Sequence, residues 1–307
     1  MIAIRPSAAA AAALVVALTA APHGQEIFRA SADAVLLAVT VTDNRQHLVP
    51  GLEEKDFQVF ENGSLQPITH FSRDREPIAL SILLDTSASM TPRLRVAQEA
   101  AVGFVERLGP HDVAQVISFD DHANVAQPFT RDQAVLERAI RSTTANGSTS
   151  LYLAMYVALN DLRQIHGQTP DEIRRQAIVL LSDGEDTSSP IDYDQVLDQA
   201  KRSGVGVWAI GLTSKQDLSV HEYNGAQSDL RRISQTTGGR TFIVNDTSRL
   251  PEIYQQIADE FANQYVIAYT PTDKTHDGKW RTISVKVDRA ETEARTKSGY
   301  FAPSDSR

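Results

Sequence analysis

The sequence predicts an α/β protein: a doubly wound, mostly parallel sheet with helices on both faces, flanked by N- and C-terminal β segments that form a small β domain. Three observations predict this fold. Residues 77–263 alternate continuous apolar runs, such as "PIALSILLD" and "QAIVLLSDG", with segments of helical periodicity, and such runs are typical of strands buried on both faces. Residues 28–76 and 264–303 carry β patterns instead. No internal repeat or long linker interrupts the chain.

The first helix of the central region follows "PIALSILLD". Its apolar side is formed by Leu94, Ala97, Ala101, Val105 and Leu108. Thr91 is expected to cap it, and Pro92 suits its first position. The alternation continues with strands "DVAQVISF", "QAIVLLSDG", "VGVWAIGL" and "RTFIV", and with helices "DQAVLERAI", "STSLYLAMYVALNDLRQI", "YDQVLDQAKRSG", "DLRRISQTTGG" and "LPEIYQQIADEFA".

The two flanks have the features of β structure. "AVLLAVTVTD" is rich in valine and threonine, and "DFQVFENGSLQPITHF" contains Asn62-Gly63, a strong signal for a tight hairpin. After residue 263, "QYVIAYTP", "KWRTISVKVDR" and "ARTKSGYF" are predicted strands. We expect the N- and C-terminal β segments to pack together.

The N-terminus predicts export. Residues 1–24 contain one basic residue, Arg5, then an Ala/Leu/Val stretch, and the first acidic residue is Glu26. This is the layout of a secretory signal peptide, with cleavage after Ala21 or Gly24, and the apolar stretch is too short to span a membrane. The protein is therefore expected in the periplasm or outside the cell, with no other transmembrane segment. An uncleaved anchor is the alternative.

Composition excludes several classes. The net charge of −9 and the lack of a long basic run argue against nucleic-acid binding. The absence of cysteine excludes disulfides, thiolate catalysis and zinc held by sulfur.

Five oxygen-bearing side chains form the candidate metal site. Three of them, Asp85, Ser87 and Ser89, follow a buried strand in "LLDTSASMT", where alternate residues share a face of an extended segment. Thr149 precedes a helix in "NGSTSLY", and Asp183 follows another buried strand in "LLSDGEDTSS". The carboxyl ends of parallel strands meet at one edge, so these residues can meet there. Such hard oxygen ligands suit Mg²⁺ first, with Mn²⁺ and Ca²⁺ as alternatives.

These residues resemble the metal-ion-dependent adhesion site of von Willebrand factor type A (VWFA) domains, whose pattern is Asp-x-Ser-x-Ser, a distant Thr and a distant Asp-Gly. The resemblance covers residues 77–263, and the flanks resemble secreted VWFA-related proteins of Acidobacteria. Ala88 and Ser148 stand where many members carry glycine, which removes no ligand. The resemblance implies a VWFA fold and direct ligation by the three hydroxyls, with the aspartates acting directly or through water. It also implies an open coordination position for an Asp or Glu of a protein partner.

Four further carboxylates are candidates for the rim of the site. Asp120 and Asp121 are alternatively turn residues before the next extended piece. Glu185 and Asp186 form either an acidic lip or a solvated loop. For the site itself, the alternative is turn and helix-cap chemistry, which does not require two aspartates at strand ends.

Three functions are compatible with these features. The leading hypothesis is a secreted, metal-ion-dependent protein-binding module of the adhesion type, and not an enzyme. The second is a structural cell-envelope protein whose metal stabilises the loops. The third, a metal-assisted hydrolase, would need a general base among the rim carboxylates. No nucleophile elbow or Ser/His/Asp set is visible in its motif context.

Overall fold

The computed structural model describes residues 34–166, 175–213 and 222–305, so the expected signal peptide at residues 1–24 lies outside the described residues. The helices are α1 Leu94–Val105, α2 Gln133–Ser142, α3 Leu151–His166, α4 Tyr193–Ser203, α5 Glu222–Thr237 and α6 Leu250–Asn263. The strands are β1 Val35–Asp43, β2 Phe57–Glu61, β3 Ser64–Gln66, β4 Ile68–Ser72, β5 Ile78–Asp85, β6 Val113–Phe119, β7 Ala123–Thr130, β8 Arg175–Ser182, β9 Gly206–Leu212, β10 Thr241–Val244, β11 Tyr265–Tyr269, β12 Trp280–Val287, β13 Thr292–Arg295 and β14 Gly299–Phe301.

A six-stranded sheet forms the centre of the molecule, in the order β10-β9-β8-β5-β6-β7. All its neighbouring pairs are parallel except β6 and β7. The chain leaves β5 toward β6 and β7 on one side, then returns to β8 and continues to β9 and β10 on the other. The strand order therefore reverses between β5 and β8, and the predicted doubly wound, mostly parallel fold is confirmed.

Helices cover both faces of this sheet because its central strands are apolar on both faces. Along β5, Leu80 and Ile82 pack with α1, α2 and α6, whereas Ala79 and Leu83 pack with α3, α4 and α5. Every residue of β5 is buried. Burying one such leucine or isoleucine stabilises the fold by roughly 1.5–3 kcal/mol, so β5 is the centre of two hydrophobic cores.

The flanking segments build two four-stranded sheets, in the orders β13-β1-β11-β4 and β14-β12-β2-β3. Each sheet combines strands from both ends of the chain: β1 pairs with β11 and β2 pairs with β12, both antiparallel. Side chains of both sheets share one apolar cluster, which includes Leu37, Phe57, Val59, Ile267 and Ile283. The two sheets thus pack as a sandwich, referred to below as the β sandwich.

Buried polar contacts join the β sandwich to the central region. Glu260 of α6 accepts hydrogen bonds from Trp208 Nε1 at 2.8 Å and from Arg295 Nη2 of β13 at 2.7 Å. Close by, Arg175 Nη1 donates to Gln264 Oε1 at 2.8 Å. These side chains attach α6 and the start of β8 to the flanking strands.

The first helix begins later than the sequence predicted. Residues Ala88–Met90 form a short 3₁₀ turn, and α1 starts at Leu94 with Arg93 at its N-cap position. The hydroxyl of Thr91 donates to the carbonyl of Ala88 at 2.7 Å, so it closes the turn and does not cap α1. Across the described ranges, no helix combines the length and the apolar character needed to cross a membrane.

Candidate functional site

The site lies at the carboxyl edge of the central sheet, where the strand order reverses. Asp85 ends β5, and Asp183 directly follows β8, the strand paired beside it. Ligand sites of open α/β sheets lie at this kind of position, because diverging loops leave a crevice there.

Asp85 is the most deeply buried member, with no exposed surface. Its Oδ1 accepts a hydrogen bond from the Ser87 backbone N–H at 2.9 Å, and its Oδ2 accepts one from Ser182 Oγ at 2.5 Å. Burial raises the pKa of the Asp85 carboxyl and the nearby Asp183 charge adds to this, while the bonds from Ser182 and Ser87 oppose it. A nearby positive charge would favour the ionised form of this carboxyl.

The two serines connect the first loop to Asp183. Ser87 Oγ lies 3.0 Å from Ser89 Oγ, and Ser89 Oγ donates to Asp183 Oδ1 at 2.7 Å. Four of the five predicted residues are therefore linked by hydrogen bonds, directly or through the backbone, over a sequence distance of nearly one hundred residues.

Thr149 approaches from the loop before α3. Its backbone carbonyl accepts hydrogen bonds from Thr187 N–H at 2.8 Å and Ser188 N–H at 3.2 Å, which tie this loop to the segment after Asp183. A Cβ built on Gly184 would lie 3.8 Å from Thr149 Oγ1. The residue is only 5% exposed, yet its Oγ1 makes no hydrogen bond within the described part of the chain. This hydroxyl is therefore free to contact a ligand.

Three of the four candidate rim carboxylates have structural partners. Asp120 Oδ1 accepts from His122 N–H at 3.1 Å, as a turn residue does. Asp121 Oδ1 accepts from Ser148 N–H at 2.8 Å, and this bond lowers the pKa of the Asp121 carboxyl.

On the other side, Asp186 Oδ2 accepts from Tyr152 N–H at 2.8 Å, so this carboxylate satisfies the first turn of α3. It also accepts from the backbone and the hydroxyl of Ser189. Glu185 extends toward α5, since a Cβ built on Gly225 would lie 3.7 Å from its Oε1. Three of the four rim carboxylates thus hold loops in place.

Two important residues were missed by the sequence reasoning. Ser182 binds Asp85, and its position as a polar residue closing a buried strand in "LLSDG" could have indicated this. Arg93 forms an ion pair with Asp183 Oδ2. No sequence signal identified this pair, because its partners lie ninety residues apart.

The donor set determines which metals fit the site. In residues 34–166, 175–213 and 222–305, no three His, Asp or Glu side chains cluster as a metal site would require. The five residues instead combine two carboxylates with three hydroxyls. They fit a hard, oxygen-preferring divalent cation, which binds through few carboxylates and retains water or an external ligand.

Comparison with known proteins shows the family to which the fold belongs. The family model for the von Willebrand factor type A domain matches residues 80–256, more than half of the chain. An uncharacterized protein of Borreliella burgdorferi is 29% identical over 189 residues, 54% of this chain and 53% of its own length. An uncharacterized protein of Synechocystis is 30% identical over 196 residues, 62% of this chain and 43% of its own. The chain spans about half the length of these curated relatives.

Two solved structures share the fold. A von Willebrand factor type A protein from Catenulispora acidiphila superposes with a TM-score of 0.53 and 15% identity, covering 91% of this chain and 76% of that one. Proximal thread matrix protein 1 of the mussel byssus, described with a zinc-occupied MIDAS motif, gives a TM-score of 0.51 and 18% identity, covering 66% and 50%. The narrower assignment to the Acidobacteria-type subgroup stays a prediction. Together, the matched residues 80–256 and the doubly wound fold show that this chain belongs to the von Willebrand factor type A domain family.

Proposed function

We propose that this chain is an exported module that binds a protein partner through a divalent cation held at the carboxyl edge of the central sheet. Von Willebrand factor type A domains are generally binding modules, often metal-dependent, and not enzymes. The observation that carries the proposal is the unbonded hydroxyl of Thr149, a residue only 5% exposed, next to the hydrogen-bonded set of Asp85, Ser87, Ser89 and Asp183.

In this proposal the three hydroxyls bind the cation directly, and the two aspartates balance its charge directly or through water. A bound cation would supply a positive, open coordination position that attracts a carboxylate. The partner therefore presents an Asp or Glu side chain, and the surrounding loops set specificity. The all-oxygen donor set favours Mg²⁺, then Mn²⁺ or Ca²⁺, although the mussel protein of the same fold is described with zinc.

The rim carboxylates support a binding role over hydrolysis. A hydrolase would need one of them free as a general base. Asp120, Asp121 and Asp186 instead accept backbone hydrogen bonds that shape their loops, and the fourth, Glu185, extends toward α5. Export is proposed from the layout of the N-terminal residues.

The decisive experiment removes one hydroxyl without disturbing the fold. Thr149→Val keeps the side-chain volume, and no hydrogen bond of Thr149 Oγ1 within the described residues is lost. We expect calorimetric titration with Mg²⁺, Mn²⁺, Ca²⁺ and Zn²⁺ to show binding to the wild-type chain and at least tenfold weaker binding to this variant, since one ligand worth roughly 1.4 kcal/mol accounts for that factor.

Thr241→Val is the matched control. Thr241 Oγ1 is also buried without a hydrogen-bond partner, but it lies at the start of β10, at the opposite edge of the sheet. Its replacement should leave metal binding unchanged. Equal metal affinity in the wild type and Thr149→Val, or no binding by the wild type, would refute the site assignment.

Partner binding requires a second measurement. Affinity capture from envelope extract should recover a partner with Mg²⁺ and lose it with EDTA or with Thr149→Val. If metal binds and raises thermal stability but no chelator-sensitive partner is recovered, the structural role is the better description.

A further inference from the structure

The side chain of Arg93 places a positive charge against one aspartate of the proposed metal site. Arg93 Nη1 donates to Asp183 Oδ2, while Ser89 Oγ occupies Asp183 Oδ1. Both oxygens of this carboxylate are therefore engaged, one of them by a full charge. The Asp183 side chain is 1% exposed and that of Arg93 is 20% exposed, so water screens the pair weakly.

We propose that Arg93 is a built-in counter-charge that competes with the divalent cation for Asp183 and thereby sets the metal affinity of the site. This inference rests on the proposed metal function and goes beyond it, because it names the residue that regulates the site.

The position of Arg93 supports a specific role for its charge. It is the N-cap residue of α1, where the helix dipole disfavours a cation. Two residues later, Arg95 faces solvent with an 88% exposed side chain and pairs with Glu99 at 3.3 Å within the same helix. The helix dipole therefore gives no reason for an arginine at position 93. The ion pair with the buried carboxylate of Asp183, 90 residues away, does.

Without a cation, the site contains two nearby carboxylates, of which Asp85 is fully buried. Arg93 offsets one of them and keeps the loops after β5 and β8 together. A divalent cation that approaches the same oxygens meets the like charge of the guanidinium. Metal binding must therefore either displace Arg93 from Asp183 or accept this repulsion, and both reduce affinity.

The test compares three variants of the full chain. Arg93→Gln removes the charge, Arg93→Lys keeps it, and Arg95→Gln removes a charge from the same helix away from the site. Mn²⁺ affinity is measured by calorimetry, and thermal unfolding is followed in EDTA and in saturating Mn²⁺.

We expect Arg93→Gln to bind Mn²⁺ on the order of tenfold more tightly than the wild type, because one repelling charge has gone. In EDTA the same variant should unfold at a lower temperature, since Asp183 loses its partner, and Mn²⁺ should reduce or reverse that difference. Arg93→Lys should bind Mn²⁺ with an affinity between those of the wild type and Arg93→Gln. Arg95→Gln should match the wild type in both measurements.

The outcomes separate this inference from the proposed function. If the wild type binds Mn²⁺ and Arg93→Gln binds equally or more weakly, the competition is refuted while the metal site stands. Arg93→Lys preserves the charge and so guards against misfolding. The inference is also refuted if this variant binds Mn²⁺ more tightly than Arg93→Gln does. If only Arg93→Gln binds Mn²⁺, Arg93 closes the site in the native chain and the proposed function fails. If no variant binds Mn²⁺, both proposals fail.

Discussion

Replacing Arg281 by methionine should strongly destabilise the β sandwich. Arg281 Nη1 lies 3.1 Å from Glu61 Oε1, and the two side chains are 5% and 2% exposed. The hydroxyls of Tyr269 and Tyr300 donate to Glu61 Oε2 at 2.7 and 2.9 Å. This buried network joins strands from both ends of the chain, so the substitution tests whether the flanks are one cooperative unit.

The size of the stability loss follows from the Glu61 charge that stays buried after Arg281 is replaced. Removing one partner of a buried ion pair costs roughly 3–5 kcal/mol, because the other charge stays buried. Arg281 also donates to the carbonyls of Asp273 and Thr275 at 2.7 and 2.6 Å, but these can turn to water. We therefore expect a loss of about 4 kcal/mol. Adding Glu61→Gln removes the stranded charge and keeps an acceptor for the tyrosines, so the double variant should recover about half of that loss.

Urea denaturation of the full chain measures these differences. Trp280 in β12 reports on the β sandwich and Trp208 in β9 on the central sheet, so single-tryptophan versions follow the two regions separately. A loss below about 1 kcal/mol for Arg281→Met, typical of an exposed pair, would contradict this account. So would a double variant no more stable than the single one.

Three further predictions concern stability. Burial lowers the pKa of Lys297 to about 8, below the unfolded value near 10. The folded state therefore binds the proton less tightly than the unfolded state, and the free energy of unfolding rises with pH between these two values. Lys297→Met should therefore stabilise the chain at pH 7, and its advantage should shrink by pH 9.5 in urea titrations at each pH. Gly239→Ala should prevent stable folding, because its Cβ would lie 1.8 Å from Val207 O. Gly103→Ala within α1 meets nothing within 4 Å and should stabilise the chain by roughly 0.5–1 kcal/mol. Thermal unfolding measures both effects. Asp132→Ala should cost about 1 kcal/mol, since the Asp132 carboxylate caps α2 through two backbone N–H groups, and equal melting temperatures would contradict that role.

The sequence predicted the central fold well because its signals are local. Apolar residues fill most of β5 and β8, a pattern typical of strands buried on both faces. The Asn62-Gly63 hairpin is also local: both residues have positive φ, at 48° and 80°, as a tight two-residue turn requires. Patterns of this kind depend on neighbours in the chain and can be read without the structure.

The arrangement within the site could be predicted only in part. Parallel strands bring their carboxyl ends to one edge, so the approach of Asp85 and Asp183 follows from the fold. The ion pair of Arg93 with Asp183 depends on where α1 begins, and the expected cap at Thr91 was wrong by two residues. Helix ends are set by competition between local hydrogen bonds and tertiary contacts, and the sequence alone does not decide that competition.

The order of the strands also has a consequence for the time course of synthesis. Leu36 of β1 pairs with Ala268, and Val59 of β2 pairs with Val285, so each waits for more than two hundred residues of later chain. During translation, the central sheet can complete its own pairing first, while the apolar faces of β1 and β2 remain uncovered. Exposed strand edges favour association with other chains. The interval between emergence of residue 43 and residue 301 is therefore when this protein is most exposed to aggregation, and slowing translation within that interval should lower its soluble yield.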